Sequence, residues 1–573
     1  MRTLMNYIRP YFARISLQLL VKIGATVAEL LLPSLLSLIL DVSAPKNDWG
    51  GVWLTGGAML LCAVLAWLGN IIANRMSTNV SREITRKYRR DLFEKVTSLS
   101  ASQQDALTDA SIVSRLTSDT YHVHNMIDRM QRLGVRAPIM LLGGIIVSLS
   151  LEPVLTLVLI ATLPLLSAIV FGSTRKGVPL FTRVTEAQDA MVRKIQENMA
   201  GARVIRALSR TKDEQDAFGE VNEQLASRQR TADLTMAAVS PAINIVLNTG
   251  LALVVLLGAY RVQNHLTTPG TIVAFLSYFT IILNSVLMVS RLFVMYSKGA
   301  ASARRIEAVL LTEKDQSLTQ SGEAPAPEQN PPHVEVRNVT FSYNKTTPNV
   351  ADISFRVNHG ETLGIIGPTG SGKSTLLALL MRQYAPDEGD ILIDGVPINA
   401  LTPSELHDRL GVVFQNDFLM ADTIGENIRF GRDIPEESIQ DAIDCAQADF
   451  IRHKEGGLDF PLHVKGRNLS GGQQQRVLIS RALSGDPRLL MLDDCSSALD
   501  FRTDRELRRA LKERHGHATT LIVAQRVSSV MSADRILVLD GGRMVGYGTH
   551  EELMAVCPMY GELCRLQLGG DAA

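Results

Sequence analysis

Apolar and polar positions are unevenly distributed along this chain of 573 residues. Crossing a hydrocarbon core of about 30 Å takes roughly 20 apolar residues in a helix, because every backbone polar group must be satisfied within the segment. Four stretches reach that length or nearly so: Ile15 to Leu40, Val52 to Ile72, Met236 to Tyr260 and Thr271 to Tyr296. A fifth, Ala137 to Phe171, is too long for one helix and is interrupted by Glu152-Pro153. Proline disfavours helical geometry in the residue before it and glutamate seeks water, so this pair predicts a tight turn between two spans. Six crossings result.

The second and third spans are separated by a long polar segment, and so are the fourth and fifth. Both segments, the one that opens "NRMSTNVSREITRKYRRDLFEK" and the one from Arg175 to Asp233, are rich in helix formers and lack Pro-Gly clusters. They are expected to carry the spanning helices on into water, about 40 Å for every 25 residues. Their basic residues, against the slightly acidic short loop "DVSAPKNDWG", place the long segments and both termini in the cytosol of a cell whose plasma membrane holds the spans. The N-terminal stretch lacks a small-residue cleavage site, which argues against a removable signal peptide. Residues 1–14, with Tyr7, Tyr11 and Phe12 beside Arg9 and Arg14, read as a helix lying in the membrane interface.

Polar residues lie inside the spans: Lys22 and Glu29 in the first, Asn244 and Asn248 in the fifth, Asn284 and Ser285 in the sixth. Such groups are costly in lipid and face protein or water. Two readings stand: a solute pathway, or hydrogen bonds between helices.

After residue 311 the pattern changes. "TEKDQSLTQSGEAPAPEQNPP" (312–332) is polar and proline-rich with little to bury, and reads as a linker. "HVEVRNVTFSY" then alternates as a strand does, and "ETLGIIGPTGSGKSTLLALL" runs from an apolar strand through a glycine loop into a helix. The fold class follows: an all-α domain of six spanning helices with long intracellular extensions (15–311), fused to an α/β phosphate-loop domain (333–573). Net charge is zero, with no long basic run, so nothing points to nucleic acid. The five cysteines, Cys62, Cys445, Cys495, Cys557 and Cys564, show neither a CxxC pair nor a metal-ligand spacing and read as reduced thiols.

The chemistry sits in two motifs. Gly367, Pro368, Thr369, Gly370, Ser371, Gly372, Lys373 and Ser374 match G-x-x-x-x-G-K-[ST] between a strand and a helix, with Thr375 following. Backbone N–H groups and the helix N-terminus there suit phosphate oxygens, Lys373 reaches the terminal phosphates of ATP, and Ser374 is placed for Mg2+. "LLMLDDCSSALD" is an apolar strand ending in two acids: Asp493 is assigned to the metal and Asp494 to polarising the attacking water.

With "LSGGQQQR" (469–476), these motifs resemble the ATP-binding cassette family, in particular exporters with six spanning helices fused to one nucleotide-binding domain. The resemblance covers nearly the whole chain. It implies that Tyr343 stacks on adenine, that Gln415 contacts Mg2+, and that Ser470, Gly471, Gly472 and Gln473 close over ATP bound to an opposite subunit. It also makes Ser497 to Asp500 a dimer-contact loop, and it puts intracellular helix tips near Ser100 to Ser111 and Leu208 to Asp216. The sequence departs from the family at two catalytic positions, where the expected glutamate is Asp494 and the expected switch histidine is Gln525. Glutamine donates a hydrogen bond but carries no titrating proton. Val464 and Lys465 also stand where some exporters carry an acid. Together the catalytic departures imply a slow, degenerate site and a heterodimer, in which a second half-transporter brings the competent glutamate and histidine. The alternatives are a homodimer with two slow sites, or an ATP-gated or regulatory membrane protein. The sequence does not choose the cargo: a small amphipathic molecule, a lipid or a peptide is each compatible with the spans.

Overall fold

In the computed structural model the structure describes residues 1–313, 315, 331–415, 417–495 and 498–568. Most of the expected linker, and Ser497 of the expected dimer-contact loop, lie outside them. The chain forms two compact units: Met1–Thr97 with Asp109–Thr312, and Ser98–Thr108 with the described residues of Glu313–Ala573.

In the first unit, α1 (Arg2–Ile8) leads into α2 (Phe12–Leu38), and α3 (Trp49–Thr97) follows a short turn. After α4 (Ala101–Leu107) come α5 (Asp109–Ser114), α6 (Thr120–Leu151), α7 (Pro153–Ala200), α8 (Ala202–Ala207), α9 (Thr211–Ala237), α10 (Val239–Gln263) and α11 (Pro269–Leu310). Among the described residues, six helical segments are long and apolar enough to cross a membrane. The apolar run 137–171 breaks where its composition requires: α6 ends at Leu151, Glu152 is extended, and Pro153 opens α7, where its missing N–H costs nothing. Glu152 is buried and meets Arg261 of α10 at 3.3 Å. Helices α3 and α7, of 49 and 48 residues, run about 70 Å each, far beyond the width of a hydrocarbon core.

The apolar core of this unit gathers on α11, where Phe275, Tyr278, Phe279 and Ile282 are fully buried against Leu30, Met140, Leu155, Leu159 and Val254. The Tyr278 hydroxyl donates to the Leu30 carbonyl at 2.6 Å, so even the polar tip of this core residue is satisfied. Some polar residues of the spans make the bonds between helices that one of the two readings expects. Lys22 is buried and donates to Asn70 (2.6 Å) and Asn74 (3.1 Å), while Glu29 pairs with Arg136 (2.7 Å), so these bind helix to helix. Ser285 is buried and donates to its own helix at Ile281, whereas Asn244, Asn248 and Asn284 are exposed in the single chain. At the N-terminus, Thr3 donates to Glu307 and Tyr7 donates to Asp91 (2.9 Å), which fastens α1 to α11 and α3.

The second unit holds two sheets. Strands β1 (Val334–Phe341), β2 (Val350–Val357), β4 (Glu388–Ile393) and β5 (Val396–Pro397) form an antiparallel sheet in the order β2-β1-β4-β5. The other sheet has the order β10-β9-β3-β8-β7-β6, from β3 (Thr362–Ile366), β6 (Leu410–Val413), β7 (Leu489–Asp493), β8 (Thr519–Val523), β9 (Arg535–Asp540) and β10 (Arg543–Gly548). The pairs β3–β8, β3–β9, β6–β7 and β7–β8 are parallel, and β10 pairs antiparallel with β9. A parallel sheet buried on both faces needs apolar residues at consecutive positions. In β7, Leu489 and Met491 enter the core shared with β1 to β4, while Leu490 and Leu492 enter a second core under the helices Gly471–Leu483 and Glu436–Cys445.

Asp41 ties the short turn after α2 to the start of α11, accepting from the Gly270 N–H (2.6 Å) and the Thr271 hydroxyl (3.3 Å). Asp41→Ala is expected to lower the stability of the detergent-purified protein by about 1 kcal/mol, the usual cost of losing a helix cap. Asp41→Asn keeps an acceptor oxygen and should lose less; thermal unfolding of the three proteins compares them.

Candidate functional site

Parallel strands in register end together, and the loops that leave their C-terminal edges meet. The register aligns Ile365 of β3 with Val523 of β8, and Val523 with Asp493 of β7. The glycine loop after β3, the acids after β7 and the turn after β8 therefore emerge side by side. They enclose a cavity of about 230 Å3 whose lining includes Thr369, Gly370, Lys373, Gln415, Asp493 and Gln525. Gly372, Ser374, Thr375 and Asp494 line it too, with Asn349 at its rim.

The loop Gly367–Ser374 needs its glycines for room. A β-carbon on Gly367 would overlap the Leu539 carbonyl oxygen, and one on Gly372 would come within 2.6 Å of the Asn349 oxygen, with φ already at +96°. The loop curls around Lys373, whose ammonium donates to the carbonyls of Gly367 (2.8 Å) and Pro368 (2.7 Å) and lies 3.4 Å from Ser371 Oγ. Burial holds the Lys373 pKa below its ordinary value, against the pull of Asp493 and Asp494.

Asp493 is 7% exposed at the end of β7. Burial raises its pKa, opposed by a hydrogen bond from Ser374 and by the Lys373 charge and helped by the neighbouring Asp494. Asp494 is half-buried in left-handed backbone, φ 49°, with its N–H bonded to Val523 O at 2.9 Å. Its pKa is also raised by burial, against Arg526 and Lys373. The two residues that depart from the family pattern touch: Gln525 Nε2 donates to Asp494 Oδ2 at 3.3 Å. Oxygens of Ser374, Gln415 and Asp493 share this cavity, a donor set that suits a hard cation such as Mg2+.

The other expected residues lie outside the cavity lining. Tyr343 is 50% exposed, and its ring meets Phe341 (4.9 Å) and Tyr384 (5.1 Å) edge-on. Ser470 caps the helix Gly471–Leu483, exchanging hydrogen bonds with Gln473 in a capping box. Gly472 lies close to the Ala498 oxygen. Asp500 caps the helix Phe501–Arg514 through Thr503, at 2.9 Å to both N–H and hydroxyl.

This geometry is that of a nucleotide-binding cassette. The model described as "ABC transporter transmembrane region" matches residues 15–286, and the one described as "ABC transporter" matches 350–497. An uncharacterized ABC transporter ATP-binding protein of Bacillus subtilis (strain 168), YfiB, is 33% identical over 576 residues, covering 100% of both chains. The chain belongs to the ABC transporter family. An ATP-dependent lipid A-core flippase of Albidiferax ferrireducens is 28% identical to this transporter, over 98% of this chain and 97% of its own. A solved structure of a bacterial Atm1-family ABC exporter with ATP bound shares its fold, with a TM-score of 0.81, 24% identity and 99% of each chain covered. The transporter is thus a multi-pass membrane protein in which an ABC membrane region is fused to one ABC ATPase domain.

Three residues around the site carry no motif. Asn349 Oδ1 accepts from the Tyr343 N–H at 3.1 Å. Tyr384 Oη donates to Asp105 of α4 at 2.6 Å, which ties the aromatic group around Tyr343 to the segment Ser98–Thr108. Gln567 brackets the turn after β8, donating to Gln525 O (3.0 Å) and accepting from Val527 N–H (2.7 Å). Asparagine before a strand, or glutamine on a C-terminal helix, gives no local signal; only the tertiary fold brings them here. Gln567→Ala is expected to free this turn, with amide hydrogen exchange at Val527 rising by about tenfold, the equivalent of one net hydrogen bond. Exchange mass spectrometry on wild type and variant checks it.

Proposed function

We propose that this ABC transporter is one half of an ATP-driven exporter whose own nucleotide site grips ATP and hydrolyses it slowly, and that its partner is a second half-transporter with a competent site. The observation that carries the reading is the contact between Asp494 and Gln525. The acid expected to polarise water is one methylene short, and a misplacement of about 1 Å costs on the order of 100-fold in rate. Beside it, an amide stands where an imidazole would exchange protons, and it spends a donor on the acid itself.

Ser470 to Gln473 support the second chain. They carry an intact signature and lie outside the lining of this chain's phosphate cavity. In a head-to-tail pair they serve the partner's ATP, and the partner's signature serves Lys373 and Ser374. Mg2+ held by Ser374, Gln415 and Asp493 neutralises phosphate charge when bound. Tyr343 offers a ring face to adenine, and the Tyr384–Asp105 bond links that platform to α4. ATP biases the transporter only by binding one state more tightly than the other. An exporter-type fold, and a relative named as a lipid A-core flippase, support outward movement of an amphipathic cargo, with the ATPase domain and both termini cytoplasmic.

Mg-ATP turnover of the purified chain tests the reading. The chain alone should turn over slowly, and Asp494→Glu with Gln525→His should raise the rate by on the order of 100-fold. Brisk hydrolysis by the unaltered chain alone, abolished by Asp494→Asn, overturns the slow-site assignment. Native mass spectrometry of the complex drawn from its own membrane separates a heterodimer from a pair of identical chains.

A further inference from the structure

Away from the nucleotide cavity, three connections of the second unit converge. His333 precedes β1, His359 lies in the turn between β2 and β3, and Asp394 lies in the turn between β4 and β5. Their candidate ligand atoms all fall within 4.8 Å of one another. We propose that these three residues form a binding site for a divalent transition-metal ion of the Zn2+ class.

The argument starts from His333, which is 1% exposed. The Thr519 hydroxyl donates to Asn358 O (3.2 Å) and accepts from the Gly360 N–H (3.1 Å). With the one Thr519 proton placed on Asn358 O and one lone pair on the Gly360 N–H, the remaining lone pair of the hydroxyl takes Nδ1–H of His333, 2.6 Å away. That assignment leaves Nε2 of His333 as a bare lone pair. It faces Asp394 Oδ1 at 4.0 Å and has no hydrogen-bond partner among the described residues, while the other close neighbour of Oδ1 is His359 Nε2. A buried ring nitrogen with no partner, beside a carboxylate oxygen and a second imidazole, is satisfied by a cation that all three can reach.

The surroundings fix this arrangement. Arg409 donates to the other oxygen of Asp394 at 3.1 Å, which aims Oδ1 at the imidazoles and limits the carboxylate to one ligand atom. The Asp394 N–H donates to His333 O at 2.9 Å, pinning the turn beside the ring. His359 Nε2 lies 3.2 Å from the same Oδ1. In a tetrahedral Zn2+ site, ligand atoms about 2.0–2.1 Å from the ion are about 3.3 Å apart. The His359–Asp394 separation already has that length, and His333–Asp394 must close by less than about 1 Å. The His333 and His359 rings stack at 4.4 Å, 11° from parallel, so His359 must tilt for its lone pair to converge; it is 58% exposed and has the space. Two imidazoles and one carboxylate favour Zn2+, Cu2+ or Ni2+ over Mg2+ or Ca2+. The Thr519 hydroxyl is the outer partner that a ligating histidine needs to hold its tautomer.

A second group, Asp486, His515 and His517, serves as the internal control. There the ring nitrogens of His515 also lack hydrogen-bond partners among the described residues, but they face different carboxylates, Asp486 at 3.8 Å and Asp441 at 3.6 Å, and two of the three members, Asp486 and His517, are exposed.

The test uses the full chain in detergent, without a histidine tag, stripped with a chelator and titrated with Zn2+ against a chromophoric competitor, then with Co2+ for its visible bands. Wild type is expected to take up one more tight equivalent than His359→Ala, a loop variant that leaves the core intact, and Asp394→Asn should weaken binding more than tenfold. The Co2+ bands should persist in His517→Ala and vanish in His359→Ala, and Zn2+ should raise the unfolding midpoint of wild type but not of His359→Ala. Equal uptake and equal spectra for wild type and His359→Ala, or bands lost only in His517→Ala, overturn the proposal.

Discussion

The nucleotide-binding half depends on a buried cation that the chain itself must accommodate. An ammonium at 9% exposure is expensive unless it is hydrogen-bonded, and Lys373 is satisfied by two backbone carbonyls of its own loop. Those carbonyls converge only because the loop is tight, and the tightness rests on Gly367 passing under the Leu539 carbonyl and on Gly372 in left-handed backbone. The same cation lowers the cost of placing Asp493 and Asp494 side by side at the end of a buried strand. Loop, acids and switch turn are mutually conditional, and strand register holds them together.

Strand register is also what local sequence leaves unsaid. The phosphate loop was legible because its function forces a contiguous pattern, and the acids were legible because a fully apolar strand that ends in charge must end at an edge. Membrane spans were legible for a similar reason: lipid leaves the backbone only one local solution, so Glu152-Pro153 between two apolar runs is a turn. Sheet order is different. That β3 lies between β8 and β9 follows from packing both faces of the sheet, and no residue within β3 encodes it. Asn349, Tyr384 and Gln567 reach the site from far along the chain, so their roles appear only with the coordinates.

The segment Ser98–Thr108 shows the same limit at the scale of domains. Its composition alone continues the polar helical stretch between two membrane spans; only the family resemblance, which puts a helix tip near Ser100 to Ser111, sets it apart. Yet it packs with the ATPase unit: Ser100 caps α4 and donates to Asp315 at 2.8 Å, Gln103 donates to Glu313 O at 2.9 Å, and Asp105 accepts from Tyr384. Such bonds, made by short side chains on a seven-residue helix, are too few to hold it by local propensity. Docking within the second unit defines the helix, and the chain on either side of it continues into α3 and α5.

The contact between Asp494 and Gln525 makes the two departures from the family pattern one feature instead of two. Residues joined by a hydrogen bond do not contribute additively, because changing one alters the environment of the other. Lengthening the acid alone pushes its carboxylate against an amide already aimed at it. Replacing the amide alone by imidazole sets a titrating ring beside an acid whose pKa burial has already raised. Each single change therefore starts from a site adjusted to the other residue, and the effect of the pair differs from the sum of the two. A cavity tuned in this way keeps its phosphate-gripping parts, Lys373, Ser374 and Asp493, untouched. On the proposed reading, the parts that grip phosphate stay in place while the reach of the acid and the proton exchange change together, so the reading separates binding from hydrolysis within one cavity.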